Sequence, residues 1–171
     1  MTVPRRPVFC AATLAMTLLA AAPAHADTTA GLFVIERSKN ANEVHYDAHL
    51  VNDGHLDPKE PVVAYWVRKA EDGSRDGLSW IQKQLAYGFD VKPDRAGAYT
   101  MTLVACSDRP LHLVNVGGRW RAELLIGGKK AYLTKLFVQS DESGIMPTVQ
   151  YVDMFGEIVG TGAVARERLM K

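Results

Sequence analysis

Three side chains in the first half of the sequence have the types and the spacing to bind a metal ion. His45, Asp47 and His49 occupy alternate positions, so on a β-strand they would project from one face with neighbours about 7 Å apart. Imidazole and carboxylate groups bind zinc, and three protein ligands with one water molecule form a catalytic type of zinc shell. One alternative for the function is therefore a metal-assisted hydrolase of the cell envelope.

The same row of residues also fits the polar face of an ordinary surface strand. It alternates with Val44, Tyr46, Ala48 and Leu50, and such alternation is typical of a strand with one buried face. A straight row of three side chains rarely directs all of them at one ion. We therefore predict no metal or other cofactor, and we keep the metal site as the alternative.

A short cationic turn, Arg37-Ser38-Lys39-Asn40, follows the first apolar run. Its side chains could hold a carboxylate or a phosphate through charge-assisted hydrogen bonds. A turn that is simply solvated explains the same residues and is the preferred interpretation. Aromatic residues such as Tyr87 could line a ligand cavity, although aromatic residues at core spacing more often fill the core.

Standard catalytic motifs are absent from the sequence. It contains no G-x-S-x-G, S-x-x-K, H-E-x-x-H or phosphate-binding loop motif, and no Cys and His residues at zinc-binding spacing. Catalytic triads also assemble from distant positions, so the absence does not exclude an enzyme. It favours a non-enzymatic protein.

The composition is that of an ordinary globular domain. The 171 residues are 47% hydrophobic and 23% charged, with a net charge of +1, which excludes a disordered acidic tail or a collagen-like repeat. The nearly balanced charge gives no field that would attract nucleic acid, so we predict no nucleic-acid partner.

The first 26 residues have the pattern of a secretory signal peptide. Arg5 and Arg6 precede an apolar stretch over residues 8–22, and Ala24-His25-Ala26 forms an A-x-A cleavage site. The stretch is shorter than the roughly 20 residues that a membrane-spanning helix needs. We predict cleavage after Ala26, a periplasmic or secreted protein, and no membrane span after cleavage.

The remaining residues, 27–171, are predicted to form a single β-rich domain. It contains one cysteine, Cys106, which follows an apolar run and is expected to be buried and inert. Nine stretches have strand patterns: 32–36, 44–51, 61–67, 98–105, 111–116, 120–126, 131–138, 148–155 and 164–169. Gly117-Gly118 and Gly127-Gly128 are expected to form hairpin turns between consecutive strands.

One segment changes from strand to helix spacing. Leu78, Ile81 and Leu85 recur as on one face of a helix, and Gly88 stands where a left-handed residue often ends one. We predict one short helix at about 77–87, packed on an end or a face of the sheet. Since short turns join antiparallel strands, the predicted fold is mainly β, a single antiparallel barrel or sandwich of about nine short strands.

A set of segments spread over residues 31–169 forms a distinctive pattern in this order: Ile35-Glu36-Arg37-Ser38-Lys39-Asn40-Ala41-Asn42, Tyr46-Asp47, Leu56-Asp57-Pro58, Pro61, Tyr65-Trp66, Ile81-Gln82, Leu85-Ala86-Tyr87-Gly88, Pro147, Val149-Gln150-Tyr151-Val152, Phe155-Gly156 and Thr161-Gly162. In that order and spacing they resemble an uncharacterised bacterial family, domain of unknown function 4833.

The resemblance implies a small exported bacterial protein without a known activity, and it transfers no catalytic or binding residue. Asp47 fits the family pattern, whereas His45 and His49 do not. Polar positions in the resembling segments are the predicted binding residues: Glu36, Arg37, Lys39, Asn40, Asp47 and Tyr87. The predicted function is a non-enzymatic binding or accessory module for a small molecule, an envelope component or an envelope protein.

Overall fold

The computed structural model describes residues 28–51, 54–94, 97–141, 143–144 and 147–171, so the predicted signal peptide lies outside the described residues. Within these ranges the chain is mainly β, with 66% of residues in strands. The strands are β1 (Thr28–Arg37), β2 (Asn40–Leu50), β3 (Val62–Val67), β4 (Arg75–Gly77), β5 (Phe89–Pro93), β6 (Tyr99–Leu103), β7 (Cys106–Val116), β8 (Arg119–Ile126), β9 (Lys129–Asp141), β10 (Thr148–Ile158) and β11 (Val164–Met170).

The strands form two meanders that meet at the long strand β9. Strands β1 to β4 form one meander and β5 to β11 form the other, each with antiparallel neighbours. Strands β8 and β1 pair with the same edge of β9. β8 pairs with residues 129–132 of β9, and β1 pairs with residues 135–138 of β9. The β1–β9 pairing is parallel, so the predicted purely antiparallel arrangement is wrong at this one junction. The whole chain from β2 to β8 supplies the long connection that a parallel pair requires.

Strands β1 and β8 pair with different stretches of β9. The sheet curls into an open half-barrel that is neither a closed barrel nor a clear sandwich. The described residues form eleven strands instead of about nine. The two additional strands are short: β4 has three residues, all exposed, and β5 alternates apolar and polar residues over four positions only before it ends in a proline.

The predicted alternation places the core correctly. Val44, Tyr46 and Ala48 of β2 are fully buried, and on β8 the alternate residues from Trp120 to Ile126 are buried as well. Both glycines of the β8–β9 turn have positive φ, as a tight hairpin requires. The hydrophobic effect of this continuous core is the main source of stability for the half-barrel.

A single short helix lies among the described residues, between β4 and β5. It begins as α1 (Trp80–Gln82) and continues as a π-helical turn (Lys83–Tyr87); the two together are called the helical segment, residues 80–87. Ser79 caps its start in a reciprocal pair of hydrogen bonds with Gln82. The expected left-handed ending is wrong, because Gly88 has a φ of −71°. Glycine is required there because a Cβ would lie 1.9 Å from a backbone oxygen.

Candidate functional site

The predicted row of His45, Asp47 and His49 lies on one face of β2, opposite the core face. Each member already has a partner within the protein. The Nε2 atom of His45 lies 2.8 Å from a carboxylate oxygen of Glu43, and the Nδ1 atom of His49 lies 3.0 Å from the carbonyl oxygen of Glu60. Asp47 is buried and faces the neighbouring strand β3 instead of the two histidines.

Two carboxylates of this face are held by hydrogen bonds from other side chains. The Tyr65 hydroxyl donates to Asp47 at 2.7 Å, and burial together with this bond raises the pKa of Tyr65 to about 12. Burial alone would raise the pKa of Glu43, but hydrogen bonds from Lys69 and His45 lower it below its ordinary value. The Tyr65 ring stacks on His45, with centroids 5.7 Å apart. We call these residues the outer cluster: Glu43, His45, Asp47, Tyr65 and Lys69.

Every member of the outer cluster has a hydrogen-bond or ion-pair partner within the cluster. Across the described part of the chain, no group of three or more His, Cys, Asp and Glu side chains is placed to hold a metal ion. This geometry describes a cross-linked strand face, and none of the three predicted ligands belongs to the lining of either cavity described below.

A cavity of about 510 Å³ lies inside the curl of the sheet. Strands β1 and β6 to β11 contribute to its lining, and the end of the helical segment lies at its opening. Its deepest lining residues are buried and aliphatic or thioether: Ile35, Leu103, Leu111, Leu124, Leu133, Leu136 and Met154. The exposed lining residues, which define the mouth, are Lys39, Leu85, Ala105, Pro147, Val149 and Lys171.

Four side chains of this lining are charged at neutral pH, and all four are cations. They are Arg37, Lys39, Arg109 and Lys171, and the described lining contains no Asp, Glu or His. Arg109 is neutralised from outside the cavity by a two-pronged hydrogen bond to Glu167, at 2.7 and 2.9 Å. Arg37 and Lys171 add positive charge to the lining.

Two contacts hold Arg37 in place. Its guanidinium carbon lies 4.5 Å from the ring centroid of Trp66, a favourable cation–π distance, and one terminal nitrogen donates to Asn40 at 3.1 Å. Its Nε atom is buried and donates to no acceptor among the described residues. A buried donor without an acceptor is costly, and a ligand in the cavity would meet the part of Arg37 that lines it, not this buried atom.

Hydrogen bonds anchor the helical segment beside the mouth at two points. Trp66 donates from its indole nitrogen to the Gln82 side chain at 3.2 Å, and the Tyr46 hydroxyl donates to the Tyr87 carbonyl at 2.8 Å. The ring of Tyr87 also meets Trp66 edge to face. These contacts fix the inner side of the segment and leave its other side in solvent.

Cys106 is half-buried and also lines the cavity. Burial raises the pKa of its thiol, and the nearby Asp108 carboxylate raises it further. The thiolate that a nucleophile requires is therefore disfavoured. The prediction of a buried cysteine is wrong, because the side chain is half-buried.

The structure separates the predicted binding residues into two groups. Arg37, Lys39 and Tyr87 line the cavity, and Asn40 supports Arg37 from the adjoining turn. The other two face elsewhere: Glu36 forms an ion pair with Lys135, and Asp47 belongs to the outer cluster.

Sequence reasoning missed most of the cavity. Lys171 stands outside every predicted segment, and Ala105 was expected on an alternating strand but lies in the exposed turn after β6. The aliphatic wall residues carry no signal of their own, because a leucine beside a cavity and a leucine in a solid core have the same sequence pattern.

A second cavity, of about 630 Å³, lies where β7 and β8 diverge. Its charged side chains pair with one another, as in the ion pairs of Arg109 with Glu167 and Lys130 with Glu123. These pairs leave it less suited to hold a charged ligand than the first cavity.

The model of a family described as domain of unknown function (DUF4833) matches residues 33–168 of the chain. No curated protein and no solved structure matches it. In the part of the chain that the structure describes, no helix has the length and apolar character needed to cross a bilayer.

Proposed function

The chain belongs to the DUF4833 family, and from that premise we propose that it is an exported, non-enzymatic binding protein for an amphiphile with a hydrocarbon body and an anionic head group. The family description assigns no activity, so the proposal depends on the cavity. One observation carries it: the 510 Å³ cavity has aliphatic walls and only cations among its fully charged lining groups. The predicted signal peptide supports an exported location.

The walls suit a hydrocarbon chain. The cavity volume falls within the range of small-molecule sites, which are also mostly apolar with a few placed polar groups. Each methylene group transferred from water to such a wall contributes about 0.8 kcal/mol. A strongly polar ligand would lose its hydration at the leucine-rich floor without finding hydrogen-bond partners there.

The mouth suits an anionic head. Arg37 and Lys171 both lie on the cavity lining. A carboxylate or a phosphate at this point would accept charge-assisted hydrogen bonds, which are stronger than those between neutral groups. An anionic amphiphile therefore satisfies both ends of the cavity at once.

The same lining favours binding over catalysis. General acid–base chemistry needs a group that exchanges protons near neutral pH, usually His, Asp or Glu, and the described lining contains none of these. Its thiol, Cys106, has a raised pKa. We therefore propose a carrier or a sensor of the amphiphile.

Titration with dodecanoate below its critical micelle concentration tests the proposal. We expect saturable one-to-one binding by calorimetry, and a one-to-one complex in native mass spectrometry. Ala105→Trp places a large side chain in the mouth from an exposed turn, so it should weaken binding at least tenfold with little change in melting temperature. Val116→Trp, at an exposed position outside the lining, is the matched control and should bind normally. Equal binding by both variants, or no saturable binding, would reject the proposal.

The metal-assisted hydrolase stays an untested alternative prediction. It requires His45 and His49 to leave Glu43 and the Glu60 carbonyl in order to bind an ion. Zinc titration followed by thermal unfolding tests it directly, since a site on the folded protein would raise the melting temperature, and the variant with both histidines changed to Gln would not respond.

A further inference from the structure

The solvent side of the helical segment is apolar, contrary to the expectation that its apolar face would pack on the sheet. Trp80, Ile81 and Leu85 are 74%, 60% and 68% exposed. Leu78, the first residue of the predicted apolar face, is buried before the helix begins. A surface helix normally turns such side chains toward the core, so three exposed large apolar residues in eight positions need another explanation.

One of these side chains lines the 510 Å³ cavity, and the other two precede it in the same helical segment. Leu85 itself lines the mouth, as does the exposed Val149. Val104, also exposed, packs against Gly88 directly after the segment. We call these exposed apolar residues, two of which line the cavity, the apolar rim: Trp80, Ile81, Leu85, Val104 and Val149.

Cations lie beside the apolar rim. Lys171 lines the mouth and Arg37 lines the cavity, and Lys83 is exposed within the helical segment itself. The whole chain has a net charge of only +1, so this concentration of cations is local. Cations with exposed Trp and aliphatic side chains are the combination that binds the interface of an anionic membrane.

We propose that the apolar rim docks on an anionic lipid bilayer, with the cavity mouth facing the membrane. This inference rests on the proposed function, because it gives the bound amphiphile a route between bilayer and cavity. A hydrocarbon chain that moved through water would expose every methylene group at about 0.8 kcal/mol each. Docking at the mouth avoids that exposure, and the cations attract the anionic head groups.

Tryptophan fluorescence provides a direct readout. The chain contains three tryptophans, and Trp66 and Trp120 are buried, so Trp80 is the one that lipid can reach. We expect vesicles of equal parts phosphatidylglycerol and phosphatidylcholine to shift the emission to the blue, and brominated lipid to quench it. Vesicles of phosphatidylcholine alone should bind much more weakly, and added salt should reduce binding.

Leu85→Ser and Leu125→Ser are matched variants. Both leucines are more than half exposed, at 68% and 58%, but Leu125 lies on β8 beside the second cavity. Leu85→Ser should weaken the binding to anionic vesicles about tenfold, measured by co-flotation, and Leu125→Ser should not. Circular dichroism of both variants checks that they fold.

Several results would overturn docking. They are no binding to anionic vesicles, equal loss in the two leucine variants, equal binding to neutral vesicles, and dimer formation through the apolar rim in light scattering that Trp80→Ser abolishes. Dodecanoate binding measured without vesicles tests the proposed function independently of membrane docking. If it persists while vesicle binding fails, docking is wrong and the binding function stands; if it fails as well, the proposed function is wrong.

Discussion

The outer cluster on β2 and the cavity inside the curl use charged residues in opposite ways. In the outer cluster, Glu43 is surrounded by Lys69 and His45, and Asp47 accepts from the Tyr65 hydroxyl. In the cavity, cations line an apolar space, no described lining residue is a carboxylate or a histidine, and Arg37 keeps a buried donor without an acceptor.

The comparison distinguishes charges that the fold itself neutralises from charges that are available to a ligand. A charge that the protein itself neutralises contributes to stability, and it offers little free energy to a ligand because its partners would first have to be displaced. A charge held in position without a counter-charge can give that free energy to a ligand. The cavity is therefore the better candidate site, although the outer cluster has the more familiar chemical residues.

The largest expected effect is the dependence of affinity on ligand chain length. Each added methylene should contribute about 0.8 kcal/mol, or about fourfold in affinity, if it enters the apolar cavity. From octanoate to dodecanoate the affinity should rise about two-hundred-fold by calorimetry. The same affinity for both acids would show that the chain does not enter the cavity.

Arg37→Met should separate recognition of the head from recognition of the chain. Loss of charge-assisted hydrogen bonds costs about 1.5–3 kcal/mol, so the affinity for dodecanoate should fall by about tenfold to a hundredfold. Dodecanol should be nearly unaffected, because methionine preserves the apolar part of the side chain. Arg119→Met, at an exposed position outside the lining, is the control. A similar loss for acid and alcohol would contradict a head-group role.

Tyr65→Phe should affect stability and leave binding unchanged. It removes the donor to the buried Asp47 carboxylate, which should cost about 1–2 kcal/mol of unfolding free energy and lower the melting temperature by several degrees. Tyr132→Phe is the control, because the described residues give that hydroxyl no hydrogen bond. Weakened dodecanoate binding in Tyr65→Phe would show that the two regions are coupled.

The smallest effect is the pH dependence that Glu43 contributes. Its pKa in the folded protein is lowered, so its contribution to stability is present above the ordinary value of 4.5 and is lost as the pH falls through the folded-state value. The free energy of unfolding, measured by urea denaturation, should therefore fall less steeply with decreasing pH in Glu43→Gln than in the parent protein. Glu60→Gln, which changes an exposed carboxylate, should follow the parent protein, and a parent-like slope in Glu43→Gln would contradict the assignment.

The sequence predicts elements whose pattern is local. Alternation identified the buried face of β2 and β8, and the Gly127-Gly128 pair identified a turn, since each depends on neighbours in the chain. The junction of β1 with β9 depends on where β8 leaves the sheet, which is a property of tertiary structure. The exposed side of the helical segment is similar, because spacing shows that Ile81 and Leu85 share a face and does not show what that face contacts.

The candidate site was predictable only at its polar edge. The turn containing Arg37 and Lys39 was recognised by charge, and the resemblance to the family drew attention to Tyr87. The aliphatic walls were hidden among core residues, because curling of the sheet, and not residue type, decides whether Leu111 and Leu133 fill a core or border a cavity. Lys171 lies at the mouth because it directly follows β11, the last strand of the second meander.

Methyl-group NMR during a titration with dodecanoate tests the central claim most directly. If the cavity binds the chain, the methyl signals of Ile35, Leu111, Leu133 and Val152 should shift saturably at one equivalent, and those of Val63 and Val67 beside the outer cluster should stay in place. Shifts confined to β2 and β3, or shifts that never saturate, would contradict a binding site inside the curl of the sheet.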